Sequence, residues 1–139
     1  MKAYVFALLT ALFWGLGPVF GKIGLYKVEP LTGLTARTVA VALVLLPYAV
    51  ASGKMSGLAQ METQSLVFLI AEGIFASLLG HLAYYYALKY GEAASLVPVT
   101  AAYPLVTVAV AGLLLGEQLT WTKVVGALLI VAGILVIKQ

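Results

Sequence analysis

Two ionisable side chains stand deep in apolar sequence: Glu72, between VFLIA and GIFASLL, and His81, nine residues on and the only histidine. A carboxyl group in such surroundings can bind a proton, a cation or an amine, and an ionisable group inside a bilayer asks for a partner or a role. The competing reading is an acid that hydrogen-bonds to a neighbouring helix or lies close enough to the interface to be wetted. On an uninterrupted α-helix nine residues turn through half a circle and advance about 13 Å, so Glu72 and His81 would lie on opposite faces and form no acid–base pair. His81 would share its face with Ser77, Tyr84 and Tyr85. Aromatic rings bind organic cations, and Tyr hydroxyls donate hydrogen bonds. Against a substrate surface stands the enrichment of Tyr in interfacial belts, which "YYYALKYGE" also fits.

A second cluster is Thr100, Tyr103, Pro104 and Thr107. Pro104 has no N–H for the carbonyl of Thr100, so a bend is expected there, with the three polar side chains as a stripe beside it. A freed carbonyl at depth must face protein, water or a ligand, and neighbouring hydroxyls can satisfy it with no ligand involved.

A third is "WGLGPVFGKIG", residues 14 to 24, which has the glycines and the lysine of a phosphate loop. The spacing rejects that reading. Leu16 stands where a Walker loop needs glycine, Ile23 follows Lys22 where Ser or Thr is needed, and Gly15, Gly17 and Gly21 are one residue too long for a dinucleotide turn. Gly17 and Gly21 instead make a GxxxG step for close helix packing. Trp14, beside a Pro18 that frees its carbonyl, becomes a candidate for substrate contact, and Lys22 is expected to reach the head groups. Gly126 and Gly133, seven apart, form another small-residue seam, for intrachain packing or for a dimer.

Other chemistry finds little support. The 139 residues hold no cysteine, so there is no thiolate nucleophile or disulfide, and one histidine makes a protein-held metal site improbable. No nucleophile and base occur at workable spacing, so an enzyme is not expected, nor any cofactor. Eight Lys and Arg are too sparse for a nucleic-acid surface.

The elements that must position these residues are membrane helices. At 63% hydrophobic, 9% charged and a mean hydropathy of +1.09, the chain has too few polar side chains to clothe a soluble domain. An all-α polytopic membrane protein follows. Five runs approach the roughly 20 residues that cross a bilayer: 4–23, 34–51, 66–86, 93–115 and 121–137. The start, "MKAYVFALLTALF", lacks a signal-cleavage site and reads as a retained first span. Five spans put the termini on opposite sides, with Lys2, Lys54 and Lys123 on one and Lys22, Lys27, Arg37, Lys89 and Lys138 on the other. That bias is too weak to orient the chain. It admits either dual insertion with antiparallel pairing or a single orientation that eight charges report poorly.

From Leu78 onward, "YYALKYGEAA", the prolines Pro98 and Pro104, "LLLGEQLT" and "GALLIVAGILVI" closely resemble the C-terminal part of an EamA domain of the drug/metabolite transporter superfamily. "FWGLGPVFGK" and the arginine of "LTART" resemble its first two helices, so the likeness covers essentially the whole chain, as a single domain 1–139. Familiar members carry two inverted five-helix repeats, and this sequence shows one. The resemblance implies a secondary transporter or exporter of small organic metabolites or drugs, in the cell membrane of a prokaryote. It would act as a homodimer with a midplane site between two copies and with membrane lipids around it. Through the family pattern it favours Tyr85 and the fourth helix for the pathway, and it likens the glycines of the last helix to a dimerisation seam. The alternative is a membrane subunit, or a component of a lipid-linked carrier flippase, that needs a partner.

Overall fold

The computed structural model describes residues 1–118 and 120–137; Lys138, counted among the charges above, lies outside them. In chain order the helices are α1 (Lys2–Gly24), α2 (Pro30–Ala51), α3 (Met55–Ala59), α4 (Thr63–Glu72), a π segment (Gly73–Gly80), α5 (His81–Tyr90), α6 (Ala93–Thr100), α7 (Tyr103–Leu114) and α8 (Trp121–Ile137). No strand occurs among the described residues. The chain is an all-α polytopic membrane protein. Four stretches are long and apolar enough to cross a bilayer: Lys2–Gly24, Pro30–Ala51, Thr63–Tyr90 and Ala93–Leu114. The last helix, Trp121–Ile137, is shorter at 17 residues, about 26 Å against a hydrocarbon core of about 30 Å. Large apolar side chains stand exposed along every one of these helices, the surface that lipid covers.

The boundaries follow from end chemistry. The second helix starts at Pro30, earlier than the apolar run suggests, because "EP" is a helix start. Glu29 is extended and accepts the Thr32 N–H at 3.0 Å, while proline at the first turn lacks only a donor that would have had no helical partner. At the other end Gly53 adopts φ +69°, and the N–H groups of Gly53 and Lys54 return to Val50 and Ala49. This left-handed cap stops the helix and turns the chain into α3, which lies between the second and third apolar runs.

Two interruptions differ from the expected continuous helices. Between Glu72 and His81 the third span widens into eight residues of π-helix. The fourth span breaks completely, with Ala101 and Ala102 in a turn and Pro104 in the first turn of the new helix α7. Pro104 was expected to bend one helix; it starts another, because a proline is best accommodated where N–H groups have no helical partner. By contrast α1 runs through Pro18 as one α-helix.

The chain forms two compact units, Met1–Tyr90 and Gly91–Gln139. In the first, α5 packs against both α1 and α2. Leu88 is fully buried there, with Leu25 and Leu34 at 3% exposure. In the second, α8 packs against α6 and α7, with Ala127 buried.

Candidate functional site

In the first unit the site residues gather around the third span. Glu72 is the last residue of α4, exposed, at the entry to the π segment. Among the described residues the one ion pair is Glu117–Lys123, so Glu72 has no cationic partner there. His81 closes the segment with Nδ1 2.9 Å from the carbonyl of Ala76, five residues back. A carbonyl only accepts, so Nδ1 is the donor in this hydrogen bond. The opposite-face placement of Glu72 and His81 assumed an uninterrupted α-helix. A π-helix bonds i to i+5 and turns less per residue, so that assignment does not hold across the segment.

Tyr85 has a defined seat. A Cβ on Gly33 would come 3.6 Å from its ring, and one on Gly21 would come 3.9 Å from it and 3.4 Å from Leu88. The two glycines open α1 and α2 to the ring, and Gly21 does so within one chain. A Cβ on Gly17, its partner in the GxxxG step, would meet nothing within 4 Å. Trp14 is exposed on α1. The Tyr84 hydroxyl is buried without a hydrogen-bond partner among the described residues.

Around this seat lies a polar lock that the sequence did not disclose. Lys22, at the end of α1, donates to the carbonyl of Leu88 in α5. In return Lys89 donates to Leu25 at 2.8 Å, Tyr26 at 3.2 Å and Val28 at 3.1 Å. Each lysine thus meets carbonyls at the C-terminal end of the other helix, where the dipole favours a cation. The available signal was a lysine in the last turn of each run. The Tyr86 hydroxyl donates to Glu29 at 3.0 Å, joining the α2 cap to α5. The Thr32 N–H, then the Leu31 N–H, hold the Glu29 carboxyl below the usual carboxylate range, and Tyr86 adds to them.

In the second unit Thr100 and Thr107 both donate into their own helices, to Val97 at 2.8 Å and Tyr103 at 3.3 Å. Tyr103 is exposed at the start of α7. The break between Thr100 and Tyr103 removes the single stripe expected of a continuous helix. Thr107 also lines a cleft of about 310 Å³ whose wall includes Glu117 and Lys123, paired at 3.7 Å. Nearby, Thr120 accepts the Lys123 N–H at 3.4 Å as a helix cap. A Cβ on Gly126 or Gly133 would meet nothing within 4 Å. No cluster of three metal-ligating side chains occurs among the described residues.

The EamA-like transporter family matches residues 1–139. An uncharacterized protein of Methanocaldococcus jannaschii is 30% identical, over 98% of this chain and 96% of its own length. An uncharacterized transporter of a Sinorhizobium species is 33% identical, over 94% and 92%. An uncharacterized transporter of Archaeoglobus fulgidus is 33% identical over 86% of this chain, which spans only 42% of that protein. No solved structure matches. The family and the names of these relatives point to a transporter rather than an enzyme. With the whole of its length matched and its long apolar helices, this chain belongs to the EamA-like transporter family and is an integral membrane protein.

Proposed function

We propose that the chain is a secondary transporter that moves small organic metabolites or drugs across the cell membrane of a prokaryote as a homodimer, with Glu72 as the proton-coupling group. The broken fourth span carries this reading. The break falls after eight residues of α6, about 12 Å into the span, where the Ala102 N–H turns back to Val99 and Pro104 offers nothing to Thr100. Irregular backbone at such depth is tolerated where it lies within protein or lines a cavity, and discontinuous helices form the midplane sites of many secondary transporters. Within the second unit Tyr103, at the break, is a proposed contact for substrate; within the first, Trp14, Tyr85 and His81 are separately proposed ones.

The homodimer rests on what a midplane site needs to be enclosed. A five-helix unit encloses a midplane site only with a second one, and the Archaeoglobus relative has more than half of its length beyond the match, room for that second unit. A second copy of this unit is the proposed complement, and the open faces of Gly17, Gly126 and Gly133 are the proposed seams.

Reconstitution in vesicles tests the reading, with a panel of amino acids, amines and phospholipid precursors scored for pH-dependent counterflow. Exchange of at least one class is expected. Glu72→Gln should flatten its pH dependence while leaving substrate binding in place. A protein inert alone but active with a partner would replace transport with the role of an assembly subunit.

A further inference from the structure

A cleft between α2 and the π segment plays no part in the reading above. It holds about 260 Å³ and is walled by Arg37, Thr38, Val41, Ala42 and Leu45 on one stripe of α2, with Ser77 facing them from the π segment. Arg37 lies seven residues past Pro30, about 10 Å along the axis and inside the apolar span. The described chain supplies it no carboxylate. Glu29 is engaged by Thr32 and Tyr86, and the one ion pair among the described residues is Glu117–Lys123. A guanidinium at that depth is costly unless an anion or water meets it, and its five N–H donors form a fork that matches two oxygens at once. Thr38 spends its proton on Leu34 at 2.8 Å, so the hydroxyl that remains to donate into the cleft is that of Ser77.

The geometry points to a binding site for an oxyanion, gripped bidentately by Arg37 with Ser77 as the second donor. Two sources share this chemistry: the carboxylate of a small organic acid and the phosphate of an anionic lipid. The volume lies just under the roughly 300 to 1,000 Å³ of ordinary ligand pockets, so it suits a small acid or a head group and excludes a drug-sized molecule. The apolar side chains of Val41, Ala42 and Leu45 would receive the carbon skeleton next to the anion. The site does not depend on whether the protein transports.

The test uses the full chain in nanodiscs of neutral phosphatidylcholine, with 4-fluorobenzoate followed by fluorine NMR. A second set of discs contains phosphatidylglycerol, with retained lipid counted by native mass spectrometry. The wild type is expected to bind 4-fluorobenzoate in neutral discs. Arg37→Gln should weaken this about tenfold or more, and Ser77→Ala roughly threefold. Binding that phosphatidylglycerol leaves unchanged assigns the site to a soluble acid. Phosphatidylglycerol that is retained by the wild type, displaces the probe and is lost from Arg37→Gln assigns it to a lipid phosphate. A wild type that holds neither, or an Arg37→Gln variant that holds both equally well, overturns the site. Should Arg37→Gln fail to fold by circular dichroism, Arg37→Lys takes its place. It keeps the charge and loses the fork, so undiminished binding there overturns the site as well.

Discussion

At the residue scale the lysines and Glu29 carry the sharpest consequences. Lys89 makes three contacts to the carbonyls that follow α1, and hydrogen bonds from a charged donor contribute about 1.5 to 3 kcal/mol. Lys89→Ala should lower stability by about 2 kcal/mol, read as thermal unfolding in detergent. An unchanged melting temperature would argue that these contacts do not hold α1 and α5 together. The carboxyl of Glu29 has its pKa lowered by folding, so its contribution is fully present above the unfolded value and is lost as pH falls through the lower, folded one. The stability gap between wild type and Glu29→Gln should therefore be widest near neutrality and close in acid. A gap that widens in acid would contradict the assigned cap. None of these pairings could be read from the chain alone: Lys22 and Leu88 are 66 residues apart, and Tyr86 and Glu29 are 57.

At the element scale the glycines separate into two kinds that look alike in sequence. A Cβ on Gly33 would come within 2.8 Å of Leu25 and 3.6 Å of Tyr85, while one on Gly17 would meet nothing within 4 Å. Gly33→Leu should cost about 1 to 3 kcal/mol through overpacking, and Gly17→Leu should leave the single chain as stable or slightly more so. Melting curves in detergent compare them directly; the reverse order would mean that Tyr85 has another seat. Periodicity missed the π segment for a related reason. "GIFASLLG" is apolar but for Ser77, and one polar residue offers no phase by which to see a turn widen. The break in the fourth span was partly legible, since Pro104 marked the place, but whether a proline bends a helix or begins another depends on the turn before it.

At the scale of the whole molecule the question is how copies associate. The chain has no native cysteine, so Gly133→Cys is a clean reporter. If α8 forms the seam, this variant should cross-link to a dimer in membranes, and a cysteine on the opposite face of α8 should not. The absence of cross-links from every face of α8 would move the interface elsewhere. Tags at both termini, tested for accessibility from the cytoplasm, separate dual insertion from a single orientation; one strict orientation would exclude the antiparallel dimer.

What the sequence determined by itself was residence in the membrane, the all-helical class, the approximate extent of each apolar run and the family. These depend on composition, run length and short motifs, all of which are local along the chain. The tertiary structure decided the partners of Lys22 and Lys89, the seat of Tyr85, the widened turn before His81, the division of the fourth span and the cleft that Arg37 shares with Ser77. Uniformly apolar helices carry little information about which face meets which. Only their approach shows which polar group is satisfied by the chain and which is left for something else.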